Sequence, residues 1–204
     1  MLSSVVALTF PARCPGCGAT AEPMCRTCRA TVRPAPALAV PPGLDALFVP
    51  FAYEGVVREL VARAKYRNRH AALTWIAHEM ATTIPDATSI DVVTWAPTTA
   101  SRRRARGFDQ AELLATAIAS ELRLPVRARL RRGAGAAQTG ATRAARADAP
   151  IFVPTRSRSI GPRGESVLLV DDVITTGATL RAAARALRNG GAVQVIGVTA
   201  ARRA

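Results

Sequence analysis

The chain has 204 residues, 49% of them hydrophobic, and carries 28 basic against 14 acidic side chains for a formal net charge of +14. That supports one substantial core plus a small module, and no apolar run is long enough to cross a membrane. The basic surplus points to a polyanionic partner, either a nucleic acid or a phosphorylated small molecule. Lys65 is the only lysine. A preference for arginine explains that choice, but not twice as many bases as acids.

Residues 1–10 predict a short helix packed on the body. The stretch lacks a basic leader and a small-residue cleavage site, so the expected location is the cytoplasm. Cys14-Pro-Gly-Cys17-Gly and Cys25-Arg-Thr-Cys28 use all four cysteines. Two C-x-x-C pairs predict a tetrahedral thiolate zinc site. A disulfide framework is the competing reading, and a cytosolic chain disfavours it. Four protein ligands leave no open position for water, so this zinc is structural. Residues 1–33 are then a zinc module and 34–47 a proline-rich linker. Residues 48–204 form the main domain.

Phe48 to Tyr53 predicts a strand. Val57, Leu60, Val61 and Ala64 share one helix face, with Glu59 and Arg63 spaced to pair at i, i+4. That helix runs into Lys65-Tyr66-Arg67-Asn68-Arg69. A second helix covers 71–82, where His78 stands alone as a solvated or packed histidine. Asp91 to Ala96 predicts a buried strand, and Pro97 to Gly107 a loop after it. Arg102, Arg103, Arg104 and Arg106 lie in that loop, either as a solvated basic segment or as a pyrophosphate-binding one. Asp109 with Glu112 three residues on is a capping-box variant that opens the next helix. Leu113, Leu114, Ala117, Ile118 and Leu122 supply its apolar face. After Ile151 to Val153, residues 154–166 are turn-rich and basic.

Val167-Leu-Leu-Val170 reads as a central parallel strand buried on both faces. Asp171 and Asp172 stand where it should end. Thr175-Thr176-Gly177-Ala178-Thr179 makes a turn, and a helix follows from Leu180 to Arg188, closed by Asn189-Gly190-Gly191. Val193 to Thr199 is the last strand. Alternating strands and helices predict an α/β fold with a mostly parallel sheet. In such sheets ligands bind beyond the carboxyl ends of the strands.

The chemistry of that stretch suits a sugar phosphate. Gly177 would let backbone N–H groups approach an anion, with hydroxyls from Thr175, Thr176 and Thr179. The helix N-terminus adds roughly 0.3–2 kcal/mol for an anion. Asp171 and Asp172 can accept hydrogen bonds from two vicinal hydroxyls, each net worth about 1.5–3 kcal/mol. A plain strand–turn–helix with Asp172 or Thr176 as cap is the simpler alternative, and it accounts for only one of these five polar residues.

The run from Val167 to Leu180 resembles the phosphoribosyl-pyrophosphate (PRPP) signature of type I phosphoribosyltransferases. The resemblance implies that the acid pair holds the ribose hydroxyls and that Thr175 to Thr179 hold the 5-phosphate. Arg104-Ala-Arg106-Gly107-Phe108-Asp109-Gln110-Ala111-Glu112 resembles the Arg-Gly-Phe-Asn-Gln-Ala-Glu element of the ComF family, phosphoribosyltransferase-like proteins linked to competence and DNA uptake. The cysteines, Lys65-Tyr-Arg, and Gln138-Thr-Gly with Arg143 and Arg146 fall in that family's order. Asp109 and Ala145 depart from it, as does the stretch 147–152. The resemblance implies PRPP with Mg²⁺ as ligand and pyrophosphate neutralised by Arg102, Arg104 and Arg106, with Lys65 second. It also implies partners among competence proteins, such as a DNA-translocating helicase. Two alternatives to catalysis stand: an adaptor for single-stranded DNA, or a PRPP sensor.

Overall fold

The computed structural model describes residues 13–21, 24–64, 70–133, 150–155 and 164–203. The expected helix over 1–10, Lys65, and most of the loop 131–150 with Gln138, Arg143 and Arg146 lie outside them.

In chain order the elements are α1 (Arg26–Ala30), β1 (Ala46–Phe48), β2 (Phe51–Ala52), α2 (Gly55–Arg63), α3 (His70–Thr82), β3 (Val92–Trp95), α4 (Ala100–Arg106), α5 (Gln110–Leu122), β4 (Leu130–Arg132), β5 (Phe152–Pro154), β6 (Ser166–Ile174), α6 (Ala178–Asn189) and β7 (Gln194–Arg202). β1, β7, β6 and β3 lie side by side in that order, β2 extends the β1 edge along β7, and every pairing is parallel. β4 and β5 form a separate antiparallel pair. The α/β architecture with a parallel sheet is as expected.

The central strands are apolar on both faces because each face is covered. Leu168, Val170, Ile196 and Val198 pack with α2, α3 and α5. Val167, Leu169 and Val195 pack with Leu180, Ala183 and Leu187 of α6 and with Leu130 and Phe152 of the antiparallel pair. Phe51 stacks on Trp75 at 5.0 Å between ring centroids, fixing β2 against α3. Both sheet edges are closed by chain. Val93 N–H donates to Pro125 O, and Ala52 N–H donates to Arg33 O. Exposed edge groups that would otherwise pair with another chain are thereby satisfied.

Three local differences from the sequence reading have physical causes. The strand expected over 48–53 is split, because its pairing with β7 is interrupted at Val49-Pro50. The segment expected as a loop over 97–107 contains α4. Thr99 caps its start by accepting from Arg102 N–H, and Gly107, with φ +78, closes it in the left-handed conformation. β6 does not end at the acid pair; it continues to Ile174 because β7 pairs with it as far as Arg202.

Residues 36–45 have little regular structure, yet they run along β7 and α6. Arg202 donates to Pro36 O and Ala37 O, and Asp45 N–H donates to Val195 O. The Asp45 carboxylate in turn accepts from Val195 N–H and Arg188.

Candidate functional site

Side chains along β6 alternate between the two cores as far as Val170. Strict alternation would put Ile174 with Leu168 and Val170. Instead Val173 joins their core and Ile174 joins that of Val167 and Leu169. The facing slips by one residue across Asp171-Asp172, and both carboxylates line one cleft. Each acid accepts the backbone N–H of the residue after it: Asp172 N to Asp171 Oδ1 at 2.9 Å, and Val173 N to Asp172 Oδ1 at 2.8 Å. Burial first, then the neighbouring Asp172 charge, push Asp171 well above its ordinary pKa of 3.8.

The turn after β6 leaves its donors free. Among the described residues, Thr175, Thr176 and Gly177 donate no backbone hydrogen bond to the protein. They lead directly into α6, whose first-turn N–H groups have no partner within the helix. Only Ala178 N–H reaches back, to Thr176 Oγ1 at 3.4 Å. Thr175, Thr176, Gly177, Ala178 and Thr179 line a hollow of about 370 Å³ with Asp171 and Pro150. Gly177 has φ +73, and a Cβ there would lie 2.9 Å from Pro41 Cγ. The space beside this glycine is filled by a proline, so its need is conformational and steric.

A second cleft of about 510 Å³ shares Asp171, Val173, Thr175 and Thr179 with the first. Its walls carry Arg102, Arg106, Arg132 and Arg203 together with Asp172, Asp109 and Tyr53. Arg102 and Arg106, one helical turn apart on α4, share a face. Arg103 points elsewhere, to Glu112 at 3.7 Å, and Arg104 is exposed outside the cleft lining. The four cleft arginines form no ion pair with a described residue. Arg132 donates to Pro97 O and lies 5.4 Å over the Phe152 ring. Burial lowers its pKa, the nearby Arg102 lowers it further, and Asp171 and Asp109 oppose both. Asp109 is committed to the backbone, accepting from Thr98 N and Ala111 N. It holds the chain between β3 and α5 and makes no direct ion pair with the cleft arginines.

Arg132, Arg203 and Tyr53 were not among the expected site residues. Arg203 follows the last parallel strand, so the rule that ligands gather at strand carboxyl ends points to it. Arg132 arrives through the β4–β5 pairing, which no local pattern announces. A larger hollow of about 560 Å³, lined by His78, Asp86 and Glu121, lies beside the segment leading into β3, away from the acid pair.

The four cysteine sulfurs lie within 4.8 Å of one another. Zn–S bonds of about 2.3 Å in a tetrahedron put sulfurs about 3.8 Å apart, and Cys17 Sγ to Cys25 Sγ is 3.6 Å. A tight turn with Gly18 N–H on Cys14 O, and α1 capped by Cys25 Sγ, aim the thiols inward. Burial opposes the Cys14 thiolate, but backbone donors at Cys25, Cys17 and Gly16 outweigh it and bring the pKa down to about 6. Burial, hydrogen bonds that the Cys28 thiol donates to the other three sulfurs and the charge on Cys14 push Cys28 up to about 12. Four sulfurs gathered this closely suit a divalent cation, whose charge would offset the repulsion between their thiolates. The set could hold one metal with all four ligands from protein.

Residues 109–204 match the family model of the phosphoribosyl transferase domain. The match contains the acid pair and the turn, and it excludes the cysteines, Lys65 and α4. The C-terminal half of the chain is therefore phosphoribosyltransferase-like. No curated protein matches the sequence. Among solved structures the chain is similar to one described as the allosteric regulatory enzyme of purine biosynthesis, at 21% identity and TM-score 0.41, covering 69% of this chain and 26% of that one. It is similar to glutamine PRPP amidotransferase from B. subtilis complexed with ADP and GMP, at 21% identity and TM-score 0.41, covering 71% and 27%. It is also similar to purine phosphoribosyltransferase from Pyrococcus horikoshii Ot3, at 14% identity and TM-score 0.36, covering 78% and 87%. The chain thus spans about a quarter of the length of the first two. Among the described residues no helix is long and apolar enough to cross a membrane.

The raised pKa of Asp171 gives a pH-dependent prediction. Above about pH 3.8 the unfolded chain loses this proton while the folded chain retains it, so stability falls as pH rises from there toward the folded pKa. Asp171→Asn keeps the Oδ1 acceptor and removes the penalty. Thermal melts should show the variant level with wild type near pH 3 and more stable at pH 7. A gain of about 1 kcal/mol would appear as roughly 2–4 °C. Equal midpoints at pH 7 would show that Asp171 carries no such penalty.

Proposed function

We propose that the chain binds PRPP and transfers its phosphoribosyl group to an acceptor with release of pyrophosphate. One observation supports this above the others: a turn of free backbone donors and a cleft of arginines without ion pairs meet at Asp171 and Asp172. Phosphate on the turn, diol on the carboxylates and pyrophosphate on the arginines account for each part. Accepting hydroxyl hydrogen bonds favours the charged carboxylates and would offset the repulsion between them.

In this reading Thr175, Thr176, Gly177, Ala178 and Thr179 hold the 5-phosphate, and Asp171 and Asp172 hold the ribose hydroxyls. Arg102 and Arg106, helped by Arg132 and Arg203, hold the pyrophosphate. Arg104 and Lys65 complete the proposed set, Arg104 from outside the cleft. Mg²⁺ would travel with the ligand, bound by pyrophosphate, ribose hydroxyls and water. The acceptor's lone pair forms a bond to ribose C1 as the C1–O bond breaks, and pyrophosphate leaves with the bonding electrons. The protein contributes positioning and charge neutralisation.

The N-terminal cysteines are proposed to hold one structural zinc, making residues 1–33 a metal module joined through 34–47 to the domain at 48–204. The order of motifs supports membership of the ComF family, with a cytoplasmic role in DNA uptake and competence proteins as partners. A second reading is favoured by the exposed Arg104 and the +14 net charge. It makes the protein an adaptor for single-stranded DNA or a sensor of PRPP, without turnover.

Calorimetry with PRPP and Mg²⁺ tests the principal reading. Asp172→Asn should weaken binding by about five- to 150-fold, through loss of roughly 1–3 kcal/mol of charge-assisted hydrogen bonding. Unchanged affinity would remove the diol from this acid. Metal analysis should find about one zinc per chain. Cys25→Ser should destabilise the fold sharply, since structural zinc supplies roughly 10–16 kcal/mol of apparent binding energy in small modules; a metal-free protein that stays folded would rule the zinc out. For DNA, each lost phosphate contact flattens the log–log salt slope by about 0.7. Changing Arg102, Arg103 and Arg104 to Ala should reduce the slope accordingly, and a wild-type slope in the triple variant would exclude them as contacts.

A further inference from the structure

We propose that Pro41 is a positioning residue for the anion-binding turn, holding Gly177 in its left-handed conformation from the side opposite the ligand. The proposal rests on the ribose-phosphate reading of that turn. Pro41 is buried although the segment around it is largely exposed. Its Cγ and Cβ occupy the place of a Gly177 side chain, at 2.9 and 3.4 Å from an ideal Cβ, with Ile174 Cδ1 at 3.6 Å. The three neighbours close one side of the glycine.

Pro41 is itself firmly held. Its ring fixes φ, and Pro42 after it restricts ψ to extended values. Its carbonyl accepts Leu44 N–H at 3.2 Å, closing a turn through Gly43, whose φ is +96. A Cβ on Gly43 would meet Ala184 of α6 at 3.3 Å, so this turn lies directly against the helix. Asp45 then anchors the strap to Val195 of β7 and Arg188 of α6. A stiff wedge braced on α6 and β7 therefore sets where Gly177 sits. It thereby orients the donors of Thr175, Thr176 and Gly177. Among the described residues no hydrogen bond or ion pair joins residues 36–45 to Arg102, Arg106, Arg132 or Arg203, so the two halves of the site should respond differently to the loss of Pro41.

The experiment measures ribose 5-phosphate and inorganic pyrophosphate binding separately by calorimetry. Pro41→Ala should weaken ribose 5-phosphate about three- to tenfold, a loss of about 0.7–1.4 kcal/mol, and leave pyrophosphate unchanged. General destabilisation would lower both together. Gly177→Ala alone should be the more damaging change, because it meets both the positive φ and the Pro41 ring. Adding Pro41→Ala to it should not weaken binding further, and relief of the clash should recover at least about threefold. Pro41→Ala with unchanged ribose 5-phosphate affinity, equal losses for both ligands, or additive losses in the double variant would each overturn the proposal. A wild-type protein that binds pyrophosphate but not ribose 5-phosphate would sink the reading of the turn itself, and Pro41's role with it.

Discussion

Two carboxylates side by side in a mostly buried strand, two and three residues before its end, set the terms for the rest of the site. Asp171 and Asp172 repel one another, and burial raises the cost. Nothing in the scaffold neutralises them by direct ion pairing among the described residues. The chain supplies only the following backbone N–H to each acid. A structure optimised for stability alone would not keep such a pair. Residues that break the local rules for stability tend to mark function, and here the broken rule coincides with a slip in strand facing that turns both acids into one cleft.

The arginines divide by partner. Arg29, Arg63 and Arg188 pair with Glu79, Glu59 and Asp45, and the buried Arg129 pairs with Glu165. These tie elements together. Arg102, Arg106, Arg132 and Arg203 instead converge around a cavity from α4, β4 and the end of β7. Asp109 lines the same cleft, but its oxygens accept two backbone donors and it forms no direct ion pair with these arginines. The net charge thus has a local meaning that a residue count does not show. The same positive field that suits pyrophosphate would also attract nucleic acid phosphates, which is why charge alone does not separate the two readings.

Much of this was legible in the sequence. The four apolar residues before Asp171 announced a doubly covered strand, and the hydroxyl-rich stretch announced the turn and helix that follow it, because both signals are local. α4 was less legible: four arginines read as a loop, solvated or pyrophosphate-binding, although Thr99 and Gly107 stood at cap spacing around it. The continuation of β6 past the acids depends on β7, a neighbour distant in sequence. The same is true of Pro41. A proline-rich stretch reads as a spacer, and only the packing against Gly177 reveals a buttress. Arg132 was hidden for a related reason, since it reaches the cleft through an antiparallel pairing across residues of weak pattern.

The cysteine module also meets the site through packing. Cys14 and Met24 are buried in the same core as α2 and α3. Arg63, at the end of α2, donates to Pro15 O and Gly16 O in the first cysteine turn, both at 2.9 Å. Gly16 has no room for a side chain, since a Cβ would lie 2.7 Å from Val56 of α2. Two residues before Arg63, Val61 O accepts the amide of Gln110, which lines the arginine cleft. α2 therefore carries the first cysteine turn at one side and a cleft residue at the other. On the proposed metal reading, removing the ion would loosen the first cysteine turn, and the helix that grips this turn is the one that orients Gln110. On this geometry the module is part of the frame of the cleft rather than an appendage tethered beside it.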